Sequence, residues 1–239
     1  MTTFSTHNPA RADIGRADDT TAQRPVGRGW ALAGIGAGIA ALGTVVTSSM
    51  ISAVYDPDIA GDAAAIADKL ETQTPQMFAF HSITVVSALL TVVFAAGLLQ
   101  RLRTALPASS ALPVLAFAGL LGTAVVSVLG SGLDTEFMMA MAADDGVVAD
   151  SAATMYNHWT GTIPWVWVLA GLSGLSLFAA ARRGGVPRWM GRLGLVLGGL
   201  TVVCGVSPFE YMAILPGAIW LLATAIGFTV GDQQFRATR

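Results

Sequence analysis

The sequence predicts an all-α polytopic transmembrane bundle: six spans, both termini cytoplasmic, and short surface helices on the extracytoplasmic side. Three observations carry this. Apolar runs of about 20 residues recur along the chain, the length that crosses a hydrocarbon core as a helix. Only 12% of the 239 residues are charged, against about 25% in a typical soluble domain. The basic residues are also confined to alternate connections, which fixes an orientation. Backbone groups in lipid must pair within the chain, so the runs are read as helices, and the alternation of a membrane barrel is absent.

Residues 1–28 are polar, with scattered arginines, and read as a disordered cytoplasmic tail. The transmembrane domain is expected over 29–231, and 232–239 form a second cytoplasmic tail. Span one is placed at 30–54. Its Gly34, Gly38 and Gly43 allow a neighbouring helix to approach closely. Packing within the chain is the simpler reading, and a homo-oligomer face is the alternative.

The loop that follows begins Tyr55-Asp56-Pro57-Asp58. Asp62 can cap a short helix whose Ala63, Ile66, Ala67 and Leu70 share one face, predicting a helix lying on the membrane surface. Asp56, Asp58 and Asp62 lack the glycine and terminal glutamate of an EF-hand, so a solvated loop is expected.

Span two covers 77–99, with His81 about one turn inside it and Arg101 and Arg103 closing it. Span three covers 112–133. The stretch from Gly130 to Trp167 then holds Asp134, Glu136, Asp144, Asp145, Asp150 and His158, with no Lys or Arg. Asp150 or Ser151 can start a short helix ending near His158. Span four covers 159–181. Pro164 is expected to kink its first turn, and Trp159, Trp165 and Trp167 read as an interfacial aromatic belt. Spans five and six, at 189–207 and 212–230, are joined by a tight hairpin carrying Glu210.

In this layout all twelve arginines fall on the side of the two tails, and the sole lysine, Lys69, on the other. Positive charge stays cytoplasmic, so both termini are expected inside. The outer side collects eleven of the fifteen acids. A net charge of −2 argues against a nucleic-acid partner. The abundance of Ala, Gly and Val over lysine suggests a bacterial source, and hence the plasma membrane. The single cysteine, Cys204, lies in an apolar run and reads as a packing residue.

His81, Asp134, Glu136 and His158 converge at one depth, with Glu210 as a fifth candidate. Histidines and carboxylates from several helices can hold a divalent metal, although no HExxH, HxxxH or cysteine pair is present. An ionisable residue inside a span, as His81 is, is a functional candidate in its own right. No span carries a lysine for a retinal Schiff base, and no Walker A or GxSxG motif occurs.

The segments GDAAAIADKL, LLQRLR and VPRWMGRLGLVLGGL resemble a family of bacterial multi-span membrane proteins known as a domain of unknown function. The resemblance implies the six-span layout over roughly 30–230 and supplies no site residue. The outer loops of that family are shorter and less acidic, so the stretch from Gly130 to Trp167 reads as a departure.

The function expected from these residues is non-enzymatic. It is a binding or scaffold protein whose acidic outer face takes a protein, a cation or a lipid headgroup. The alternatives are a metal-dependent membrane hydrolase using His81, Asp134, Glu136 and His158, and a small proton- or cation-coupled transporter using His81 and Asp134.

Overall fold

A computed structural model describes residues 28–142, 146–162 and 167–232. Several expectations fall outside these residues: most of both tails, Asp144 and Asp145, the Pro164 kink, and Trp165.

The described residues form helices and turns with no strand. In chain order these are α1 (Gly29–Met50), 3-10 turns at Ser52–Tyr55 and Pro57–Ile59, α2 (Ala63–Glu71), α3 (Thr74–Arg103) and α4 (Leu112–Met141). Then come α5 (Gly146–Thr162), α6 (Val168–Arg182), α7 (Arg188–Leu193), a π-helical turn at Gly194–Gly198, α8 (Gly199–Gly205), a 3-10 turn at Glu210–Met212, and α9 (Ile214–Val230). Among the described residues, four stretches are long and apolar enough to cross a membrane: α1, α3, α4 and Glu210–Val230. Helix α6 is apolar too, but has 15 residues.

Several boundaries differ from the sequence reading, each for a local reason. Span one stops at Met50 because Ile51 leaves helical geometry (φ −87°, ψ 77°) and is itself fully buried. The chain then folds back, with Ser48 Oγ and Tyr55 Oη 2.8 Å apart. Helix α3 begins at Thr74, earlier than expected, with Pro75 in its first turn, where a missing N–H costs nothing. Helix α4 carries on through Asp134 and Glu136 to Met141. At 30 residues each, α3 and α4 are about 45 Å long, against a hydrocarbon core of about 30 Å. Their surplus length stands beyond the bundle and carries a small second core.

The expected span four is two helices in the structure. Helix α5 starts at Gly146 and runs past His158 to Thr162, and α6 begins at Val168. The helix expected at Ala63–Leu70 is present as α2. Asp62 Oδ1 accepts from Ala65 N at 3.0 Å, and Ile66 and Leu70 are buried.

The main core lies between α1, α3, α4, α6 and α9, around Phe94, Leu98, Leu120, Leu177, Trp220 and Leu221. Trp30, Phe94 and Phe228 form an aromatic cluster with ring centroids 5.1–6.4 Å apart. Trp167 belongs to this core at 4% exposure. It therefore packs between helices instead of joining an interfacial belt.

Gly34 and Gly38 of α1 are filled by neighbours inside the chain. A Cβ on Gly38 would stand 2.8 Å from Leu222 Cα, and one on Gly34 would stand 2.3 Å from the Phe94 ring. A close backbone crossing joins α6 to the π turn, where a Cβ on Gly174 would meet Gly198 Cα at 2.8 Å.

At the arginine-rich end, Arg101 and Asp232 form a buried two-point ion pair. Nε donates to Oδ2 at 2.7 Å, and Nη2 to Oδ1 at 2.5 Å. Nη2 also reaches the carbonyl of Gly185 at 3.3 Å. One guanidinium thus ties together the end of α3, the second residue after α9 and the α6–α7 loop. The sequence places Asp232 in the tail, whereas its carboxylate is buried in the packed bundle.

Candidate functional site

The second core sits at the opposite end, built from Ile51, Ile66, Leu70, Met77, Phe80, Met138, Ala153 and Tyr156. It joins the turn after α1, helix α2, the start of α3, the end of α4, and α5. Lys69 on α2 pairs with Asp56 at 2.5 Å. That hydrogen bond, together with one from the Asp58 N–H, holds the Asp56 carboxyl below the usual aspartate range. The loop of aspartates is thus a local fastening for α2.

Beside this core lies a group of enclosed polar side chains. On α4, buried positions recur at Ser127, Gly130, Ser131, Asp134 and Met138, one stripe of a 3.6-residue period. Helix α5 meets it with Ala152, Ala153, Tyr156 and Thr160, which are also buried. The indole N–H of Trp159 fastens the two helices, donating to Gly130 O at 3.0 Å. Asp134, Tyr156 and Thr160 are 0% exposed and Ser131 is 1% exposed.

None of these four side chains has a hydrogen-bond partner for its buried oxygens, and for Asp134 that means both carboxyl oxygens. Burial pushes the Tyr156 phenol above its usual range, and the charge of Asp134 nearby adds to that. The Thr160 hydroxyl pulls the other way, although the two hydroxyls fall short of hydrogen-bond geometry.

This arrangement is costly. Each buried, unpaired polar group costs about 1–3 kcal/mol, and an unpaired carboxylate costs more. An enclosed carboxyl must therefore carry its proton or have a positive charge beside it. Three hydroxyl oxygens on the same faces add neutral acceptors. The set suits a hard cation or a cationic headgroup, which takes oxygen ligands.

The five residues singled out from sequence meet different fates. Asp134 is enclosed. Glu136, two residues on, is exposed, and so is His158 on α5. His81 is half-buried, with Nδ1 3.4 Å from Thr135 Oγ1, a contact linking α3 to α4. Glu210 is half-buried in the turn before α9. Among the described residues, no three His, Cys, Asp or Glu side chains are grouped to hold a metal ion.

Ser131, Tyr156 and Thr160 were missed. The signal for Tyr156 and Thr160 was present in the sequence as the 3.6-residue spacing Ala152, Ala153, Tyr156, Trp159 and Thr160, which marks a buried face on α5. Nothing in the sequence indicated that this face would close over Asp134.

No family model matches the chain, and neither a curated protein nor a solved structure does. The described residues are all-helical, with four helices long and apolar enough to cross a membrane, as in a membrane protein, and the specific role rests on the site.

Proposed function

We propose that this chain is a non-enzymatic binding protein of a bacterial plasma membrane. In this reading it has six spans, both termini are cytoplasmic, and its extracytoplasmic lobe takes a small cation at Asp134. The observation that carries the reading is the Asp134 carboxyl: fully enclosed, with neither oxygen hydrogen-bonded, and near enough to Tyr156 on α5 for its charge to act on the phenol. A purely structural aspartate is expected to have partners, as Asp232 has in Arg101. The acidic outer face supports the same reading, because it raises the local concentration of cations.

The test is thermal unfolding of the detergent-purified protein with Na⁺, K⁺, Ca²⁺ and choline in turn, wild type beside Asp134→Asn. A ligand held at a hundred times its Kd adds about 2.7 kcal/mol to stability. One of these cations is expected to raise the melting temperature of the wild type by several degrees and to leave the variant unmoved. The variant without ligand should melt no lower than the wild type, because the amide keeps the shape of the carboxyl and cannot ionise. A variant that melts well below the wild type, together with no response to any of the four cations, would mark Asp134 as structural and end the proposal.

A further inference from the structure

The arginine-rich end holds a second site, unrelated to Asp134. A cavity of about 570 Å³ opens where α6 ends and α7 begins. Arg182, Arg183, Arg188 and Arg192 line it, over a floor that includes Phe178 and Val186, and no carboxylate is among its lining residues. Arg101 in the same end of the bundle is buried and matched by Asp232, whereas these four arginines are exposed.

We propose that this cavity binds the headgroup of an anionic phospholipid, an inference that rests on the membrane reading of the chain. Three features select that occupant. Guanidinium forks match phosphate oxygens two at a time, and four of them around one opening attract an anion and repel a choline headgroup. The floor is apolar and continues onto α6, so it can carry the first carbons of an acyl chain as well as a phosphate. Trp189, between two of the arginines in sequence, is 44% exposed, as befits an aromatic side chain at the level of lipid headgroups. Basic pockets between transmembrane helices are a recognised way of holding anionic lipid.

The experiment uses the full chain in detergent, delipidated and then titrated with phosphatidylglycerol, phosphatidylcholine or inorganic phosphate. Melting temperature is read alongside bound lipid, the latter by native mass spectrometry. Phosphatidylglycerol is expected to raise the melting temperature by about 4 °C or more, with phosphatidylcholine and phosphate near zero. The double variant Arg188→Gln/Arg192→Gln should lose about nine-tenths of the bound phosphatidylglycerol. Arg103→Gln, an exposed arginine at the same end but outside the cavity, should keep it.

Equal shifts with both lipids would overturn the proposal, and so would equal loss in Arg103→Gln, which would reduce the effect to diffuse charge. A shift produced by phosphate alone would make this a site for a free anion and overturn the lipid assignment. If the double variant unfolds, Arg182→Gln/Arg183→Gln gives the same readout from the other wall. A chain that stays soluble without detergent would remove the membrane premise itself, a result distinct from any loss of lipid selectivity.

Discussion

Two buried aspartates in this protein have opposite surroundings, and the contrast separates fold from site at the level of single residues. Asp232 is 1% exposed and holds the Arg101 guanidinium at two points. Asp134 is 0% exposed with both oxygens unpaired. Breaking one partner of a buried ion pair leaves an uncompensated charge and costs about 3–5 kcal/mol. Asp232→Asn is therefore expected to lower the melting temperature by several degrees and to loosen the packing of α9 on α3, measured as faster hydrogen exchange near Phe228. Arg101→Leu combined with Asp232→Leu should recover much of that loss, because two apolar side chains leave no charge to desolvate. A wild-type melting temperature in Asp232→Asn would show that the pair adds nothing to the bundle.

At the level of elements, what could be read from the sequence follows a simple physical division. Long apolar helices declare themselves through composition, so α1, α3 and the last span were legible to within a few residues, and so was the start of α4, which runs eight residues past its expected end. The Asp62 cap and the face of α2 were legible because an N-cap and an i, i+3, i+4, i+7 pattern are local. What was not legible depended on pairing between elements. The α5 stripe shows its period in sequence, but only its contact with α4 brings Tyr156 near Asp134. Similarly, Asp232 looked like tail because its partner is 131 positions away. The π turn at Gly194–Gly198 has the same kind of origin: it lies where backbone touches backbone across Gly171, Gly174 and Gly198. That contact makes a prediction about elements. A Cβ on Gly174 meets backbone at 2.8 Å, which cannot rotate aside. Gly174→Leu should push α6 off the following helix and cost at least the roughly 1–3 kcal/mol typical of overpacking. Gly132 has open space around its Cβ position, so Gly132→Ala should be neutral or slightly stabilising, by up to about 1 kcal/mol. Thermal unfolding of the two variants side by side checks both statements, and equal effects would refute the close-contact account.

At the level of the whole molecule, the two ends differ in charge, and that difference makes the topology testable. Arg101, Arg103 and the arginines of the α6–α7 loop share one end, joined by the hydrogen bond from Arg101 to Gly185 O. The Asp56–Lys69 turn and the small core lie with the start of α3, at its other end. Moving guanidinium groups through a bilayer during insertion is expensive, so the arginine end should stay cytoplasmic. Cys204 is the only native thiol, so a Cys204→Ser background allows single cysteines to report sidedness. Asp58→Cys is expected to react with a membrane-impermeant maleimide on intact cells. Arg103→Cys and Arg183→Cys should react only after the membrane is opened. Arg183 decides the number of spans. Labelling of Arg183→Cys on intact cells with Arg103→Cys protected would mean that only α1, α3, α4 and the last helix cross, and would contradict the contact of Arg101 with Gly185 O. If α6 and the run from α7 to α8 cross as well, Arg183→Cys is protected together with Arg103→Cys. Labelling of Arg103→Cys on intact cells would invert the whole arrangement. It would also place the enclosed Asp134 on the cytoplasmic side, where its cation would have to come from inside the cell.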